Sequence, residues 1–294
     1  MEYSTAYELF RNSGFKVFCS PSSEWYMIQP GMLMSIPYHR LISPPENELD
    51  LLLKESGALG LRYPTSVDNF GFISKLEICE HFGYDLEYLK HGPRGHVKTG
   101  MKNCEIRDVS IEELRFEGYQ LNMQTFERQN RDDPKADIKY WHRLCDGLSK
   151  TSNIKILGSY CENKLAAYTV IIELPNMAEM ILQNSDTAFL SYCPNNLLTY
   201  HVARHYLTER DKPLPVCYGL GSLEDTPGLD QYKSGMGFEL RPIKQRIYFR
   251  KEIRFLLRPA VLHIAEFINR NITKKNNYRI DKGTALLKRY LEQK

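Results

Sequence analysis

The chain has 294 residues, 42% hydrophobic and 26% charged, proportions ordinary for a soluble globular protein. That length allows one large α/β unit or about two domains, and no apolar run reaches the roughly 18 residues of a membrane-spanning helix. Net charge is +3, but residues 250–294 hold twelve Lys/Arg against four Asp/Glu, so a tail of +8 follows a body of −5.

The first residues, MEYSTAYELF, have neither a basic nor an apolar leader region, so the expected compartment is the cytoplasm. Cys19, Cys79, Cys104, Cys145, Cys161, Cys193 and Cys217 are odd in number and form no CxxC. Neither a disulfide framework nor a zinc ribbon is suggested, and reduced, mostly buried thiols are expected.

Residues 1–98 are rich in aromatics and prolines, and "SSEWYMIQPGMLMSIPYHRLISPP" predicts short strands broken by turns. A helix is predicted from Glu46 to Ser56, stopped at Gly57, with a strand over residues 58–63. Gly92, Pro93 and Gly95 argue against a long regular element at residues 84–98. Ser110 and Glu113 form a capping-box pattern, followed by one face of Ile111, Leu114, Gly118, Leu121 and Thr125. A second helix is predicted from Asp133-Pro134, with Ile138, Trp141, Leu144, Cys145 and Leu148 on its apolar face.

"IKILGSYC" and "LAAYTVIIEL" flank "ENK" as a hairpin. "AEMILQNS" and "TAFLSYC" read as one strand with an irregularity near Ser185, and a bulge at Ser185 and Asp186 would aim groups into a cleft. A helix capped by Asn195 or Asn196 follows, with Leu198, Val202 and Tyr206 as its buried stripe. "LPVCYGLG" is an apolar strand, "GLDQYKSGMG" a short helix and "FELRPIKQRIYFR" a closing strand. Two basic amphipathic helices end the chain. The alternation from residue 105 onward argues a mixed α/β sheet.

Some chemistries find no support. His201 and His205 have i, i+4 spacing but no HExxH and no clear third ligand, so no metal is expected. The "GLGS" at residues 219–222 reads as a strand-end turn. No Walker A and no G-x-S-x-G pattern occurs.

Two stretches carry a family resemblance. The first has Asp85-Leu86, then Arg94 with Lys98, then Thr125 with Arg128. The second has Gly228, Tyr232-Lys233 and Gly237-Phe238. In this order they resemble the GNAT acyltransferase fold, and more closely its tandem-GNAT branch of FemABX-like aminoacyl transferases and related acetyltransferases, over roughly residues 70–250. The fold this implies is α/β: a GNAT-like mixed sheet flanked by helices, in two GNAT-like halves. Residues 1–98 would be a shortened N-terminal half, 99–250 the acyltransferase domain and 251–294 a basic helical tail. The family's phosphate loop, Q/R-x-x-G-x-G/A, is absent here, Tyr232 replaces its phenylalanine, and no coiled-coil insertion is visible.

The resemblance implies roles. Lys233 would stabilise developing negative charge, although a surface lysine over the sheet edge is the plainer alternative. Tyr192 would protonate a departing thiolate. From the residues themselves, the amides at the helix start beside Asn195 and Asn196 could hold an anionic cofactor, with a plain helix cap as the alternative; Tyr232 is a further cofactor contact, and Ser185, Arg128 and Tyr200 are the candidate substrate contacts. The function expected is N-acyl transfer from acyl-CoA, acetyl-CoA first, to an amine on a small molecule or envelope precursor. Two alternatives stand beside it: an aminoacyl-tRNA-dependent transferase acting on a peptidoglycan precursor or lipid, and an inactive GNAT-like scaffold at the membrane. The basic tail suggests peripheral contact with an anionic membrane, or with tRNA.

Overall fold

The computed structural model of the chain describes residues 4–129, 133–223, 227–257 and 278–293. In chain order the first elements are α1 (Thr5–Asn12), β1 (Val17–Cys19), β2 (Glu24–Gln29), β3 (Met32–Ile36), α2 (Glu46–Ser56), β4 (Gly60–Thr65) and β5 (Phe72–Cys79). α3 (His91–Asn103), β6 (Cys104–Asp108), α4 (Ile111–Glu113), a π-turn at Leu114–Gly118 and α5 (Tyr119–Arg128) follow. Next come α6 (Ile138–Ser149), β7 (Ile154–Cys161), β8 (Lys164–Leu174), β9 (Met177–Ser185) and α7 (Pro194–Arg204). β10 (Val216–Leu220), α8 (Pro227–Gly235), β11 (Glu239–Phe249), α9 (Lys251–Leu256) and α10 (Tyr278–Leu291) complete the order.

These elements fall into two compact units. Unit 1 takes Met1–Lys75, Leu220–Asp225 and Pro242–Lys294, and unit 2 takes Leu76–Gly219 and Thr226–Arg241. The boundary expected at residue 98 therefore lies inside α3 of unit 2.

In unit 1 the strands run β1-β2-β3-β4-β11. β3 and β4 are parallel and the other pairs antiparallel. The apolar face of α2, Leu49, Leu52 and Leu53, packs with Trp25, Leu33, Leu61 and Tyr63. Gly57 ends that helix at φ +71°, as the sequence predicts.

In unit 2 the order is β5-β10-β9-β8-β7-β6. The β7–β8 hairpin turns through Glu162 and Asn163, both at positive φ, so "ENK" does mark it. The mixed sheet flanked by helices is thus the observed architecture.

Five local expectations change. α3 runs through Gly92, Pro93 and Gly95, because Pro93 lies in the first turn, where no intrahelical N–H bond is lost. Gly100 then admits a close approach: a Cβ there would lie 2.7 Å from Leu197 Cβ and 3.1 Å from the Cys193 carbonyl. Asp133-Pro134 starts only a 3-10 turn, and α6 begins at Ile138 under Asp137, whose carboxylate accepts from Lys139 and Tyr140 amides. Half the capping box forms. Ser110 Oγ accepts the Glu113 amide at 3.1 Å, but the Glu113 carboxylate accepts the Tyr160 hydroxyl at 2.6 Å.

"TAFLSY" is a 3-10 turn capped by Asp186, which stops β9 at Ser185. Lastly, Cys104 and Cys161 form a disulfide rather than staying reduced. They face each other across the β6–β7 pairing with Cα atoms 4.5 Å apart, and a separation of 57 residues hides this in the sequence. Of the two helices expected in the basic tail, the second is present as α10, while most of the first lies outside the described residues and is preceded by the short helix α9. The apolar stretch Val261–Ile268 lies outside the described residues. No helix among the described residues is long and apolar enough to cross a membrane.

Candidate active site

β9 lies between β8 and β10, and the two pairings differ. β10 pairs with β9 in parallel only at Val216↔Ala178 and Cys217↔Glu179. β9 runs on to Ser185 and β10 to Leu220 beyond the last of these pairs. On the other edge, the β8 register shifts between Val170↔Leu182 and Ile171↔Met180, which leaves Ile181 as an extra residue in β9. The bulge expected at Ser185 is therefore at Ile181. Its place is set by strand pairing, which has no local sequence signature.

Side chains take over where the β9–β10 ladder stops. The Tyr218 hydroxyl donates to Gln183 Oε1 at 2.5 Å. Gln183 Nε2 reaches Thr199 Oγ1 at 3.1 Å and Asn195 Oδ1 at 3.2 Å. The Tyr232 hydroxyl donates to the Asn195 carbonyl at 3.0 Å and lies 2.9 Å from Thr199 Oγ1. Asn195 Nδ2 donates to Ser185 Oγ at 2.9 Å. Burial pushes the Tyr232 phenol up to about 12 and the Tyr218 phenol well above its ordinary value. Both are hydrogen-bond donors at neutral pH.

Lys233 closes this cluster. It is 6% exposed, it forms an ion pair with Glu77 of β5, and its Nζ lies 4.5 Å from the Tyr218 ring centroid. The segment that follows explains why the lysine is held there. The Phe238 amide donates to the Lys233 carbonyl at 3.1 Å and the Gly237 amide to that of Ser234 at 3.1 Å. This is a Schellman cap. Gly237 sits at φ +86°, and a Cβ there would lie 2.6 Å from the Tyr88 ring. The Gly-Phe pair after the lysine thus ends α8 and fixes the backbone of Lys233.

α7 presents its N-terminus beside the same cluster. Cys193, at φ 56°, is the N-cap and Pro194 the first helical residue, so neither Asn195 nor Asn196 caps it. No side chain caps the orphan amides, and the first turn has no acidic residue. Such an end suits an anion.

The structure thus gathers Lys233, Tyr232, Asn195 and Ser185 into one connected group. Asn196 Nδ2 lies 3.5 Å from Met236 Sδ, at the end of α8. Thr125 bonds the backbone of Ser185, and Arg128, exposed, donates to Thr187 Oγ1 at 2.8 Å. Two expected residues lie elsewhere. The Tyr192 hydroxyl donates to Glu162 Oε1 at 3.1 Å, and its ring packs with Phe189 beside the Cys104–Cys161 pair. That bond to Glu162 raises its phenol. Tyr200 is buried against Tyr84, with ring centroids 5.8 Å apart. Sequence reasoning missed Glu77, Gln183, Thr199 and Tyr218. Only Glu77 leaves a signal: a carboxylate inside the apolar stretch "LEIC", 2% exposed, must find a partner.

No protein-family model matches the sequence, and no curated protein is detectably similar to it. Solved structures do share the fold. FemX superposes with a TM-score of 0.57 at 11% identity, over 86% of this chain and 92% of that one. The C-terminal DUF2156 domain of a putative lysylphosphatidylglycerol synthetase from Agrobacterium fabrum gives 0.53 at 11%, over 89% and 92%. L-PGS from Bacillus licheniformis gives 0.52 at 12%, over 90% and 92%. At these identities the likeness is one of fold, and it is the fold that the sequence resemblance implied.

Proposed function

We propose that this chain is a transferase that moves an acyl group from an activated carrier to an amine, with the parting of β9 and β10 as its reacting centre. The observation that carries the reading is the buried Lys233 ammonium over the ring of Tyr218, whose hydroxyl joins the hydrogen-bonded group of Gln183, Thr199, Asn195 and Tyr232. In such a transfer the amine attacks the acyl carbonyl, a C–N bond forms and negative charge collects on oxygen. The oxyanion then collapses, the bond to the carrier breaks, and the proton lost by the amine ends on the leaving group. A fixed ammonium near the oxyanion lowers the barrier, by about 3 kcal/mol for one donor. The uncapped N-terminus of α7, at Asn195 and Asn196, would take a phosphate of the carrier.

Acyl-CoA, acetyl-CoA first, is the donor favoured by the resemblance, with an amine on a small molecule or envelope precursor as acceptor. A second reading has an aminoacyl-tRNA as donor and a peptidoglycan precursor or lipid as acceptor. The fold likeness to FemX and L-PGS and the +8 tail support it. Either way the protein would work in the cytoplasm, touching the membrane peripherally. Thermal unfolding with acetyl-CoA in one arm and aminoacyl-tRNA in the other tests both. A carrier at 100 times its Kd adds about 2.7 kcal/mol to stability. Stabilisation by acetyl-CoA alone selects the first reading and by charged tRNA alone the second. Stabilisation by neither leaves the inactive scaffold.

A further inference from the structure

The sequence points to Lys233 but not to what aims it. Four contacts restrict this residue. The Schellman cap at Gly237-Phe238 holds its carbonyl, and the last turn of α8 carries its backbone. Glu77 pairs with its Nζ, and the Tyr218 ring lies under the ammonium at 4.5 Å. Glu77 comes from β5, the strand next to β10 in unit 2, and is itself 2% exposed. At Gly219, where β10 passes the carboxylate, φ is +137°, and a Cβ there would lie 4.0 Å from Glu77 Oε2.

An ammonium has three N–H donors. Glu77 engages one, leaving two for other acceptors. A flexible four-carbon stem does not by itself choose where they point. An ion pair with a carboxylate on a strand does, because the strand cannot follow the lysine. Replacing a buried ion pair by apolar residues is often neutral or stabilising, so fold stability alone is a weak reason for this one.

We propose that Glu77 is the positioning residue of the transferase centre: it holds the Lys233 ammonium over the Tyr218 ring, with its remaining N–H groups directed to the gap between β9 and β10. This rests on the transferase reading for its catalytic consequence, but not for its geometry. Tyr218 completes the arrangement. Its ring faces the ammonium while its hydroxyl is tied to Gln183, so the group bearing on Lys233 is anchored to β9. In this arrangement Glu77 does not exchange a proton with substrate; it acts through Lys233.

The test has a spectroscopic arm and a kinetic arm, both on the full chain. Nitrogen-15 NMR of the lysine ammonium groups should show one slowly exchanging signal in the wild type that is missing from Lys233→Met. Glu77→Gln should lose that protection, and Glu77→Asp should keep a signal but shift it, because the shorter side chain pulls the ammonium aside. An unchanged Lys233 signal in both Glu77 variants overturns the proposal. In the kinetic arm the carrier is whichever of acetyl-CoA or aminoacyl-tRNA the wild type turns over. A misplacement on the order of 1 Å lowers a rate about 100-fold. Glu77→Gln and Glu77→Asp should therefore lose about ten- to a hundred-fold in kcat with the carrier's Kd unchanged. Lower melting temperature with kcat intact would make Glu77 a structural partner only and overturn the positioning role. If Glu77→Gln does not fold, Glu77→Asp decides both arms. If the wild type turns over neither carrier, the transferase reading falls, and the NMR arm still decides whether Glu77 aims Lys233.

Discussion

β9 treats its two neighbours differently. Toward β8 it forms an antiparallel ladder of eight paired positions, from Ala167↔Ser185 to Leu174↔Met177, broken only by the bulge at Ile181. Toward β10 it forms two parallel pairs and then relies on Gln183 and Tyr218. The first arrangement leaves main-chain groups satisfied by main chain, with β8 buried almost throughout. The second leaves polar side chains to fill the space between strands. A region held by side chains can be rebuilt for chemistry without dismantling the sheet, and the candidate site lies in that region.

The comparison breaks most sharply at Lys233. Lys233→Met should lower turnover about 100- to 1,000-fold. It should also destabilise the chain by about 3–5 kcal/mol, because Glu77 is left buried and unpaired. The sequence alone suggests a loss of turnover with little loss of stability; the ion pair changes that expectation. Adding Glu77→Leu to Lys233→Met should restore stability but not turnover. Urea unfolding beside a turnover assay separates the two, and retained turnover in Lys233→Met would remove Lys233 from the chemistry.

On the β8 side the reverse pattern is expected. Ile171 is fully buried, and Ile171→Ala should cost about 2–5 kcal/mol while leaving the carrier's Kd unchanged. A variant that weakens carrier binding as much as folding would mean the ladder is part of the site. Tyr218→Phe sharpens the contrast. Loss of the bond to Gln183 should cost about 0.5–1.5 kcal/mol in stability, with a larger fractional effect on turnover. Equal effects would reduce Tyr218 to a packing residue.

The smallest effect concerns pH. Burial, the main cause, holds the His201 imidazole of α7 below its ordinary value. The unfolded chain therefore binds a proton near pH 6.5 that the folded chain refuses. Stability from this group is complete above that pH and is lost as pH falls toward the folded value, by at most about 1.4 kcal/mol per unit. Unfolding free energies measured from pH 7.5 to 5 should flatten in His201→Gln. An unchanged slope would assign it to another group.

Much of the fold was legible because its signals are local. Gly57 stops α2, Glu162-Asn163 turns the hairpin, and Gly237-Phe238 ends α8 after Lys233, each through backbone geometry that a few residues specify. The same habit misled at α3. Gly92, Pro93 and Gly95 look like breakers, yet a first-turn proline is tolerated and the helix runs through both glycines. Of the candidate site, Lys233 and Tyr232 stood out through the family resemblance, Asn195 through an expected helix start and Ser185 through a break in an apolar strand pattern. Gln183, Thr199 and Tyr218 did not, because a polar residue on a strand or helix carries no mark of what lies opposite.

The sequence by itself determined most of the helices and strands and much of the punctuation between them. Each depends on side-chain period or turn chemistry within a dozen residues. Tertiary structure alone decided that Glu77 meets Lys233 across 156 residues, that Cys104 meets Cys161 across 57, and that β9 parts from β10 after two pairs. Those outcomes follow from which strands become neighbours in the sheet. Burying apolar surface over the whole chain sets that choice, and no spacing along the chain records it.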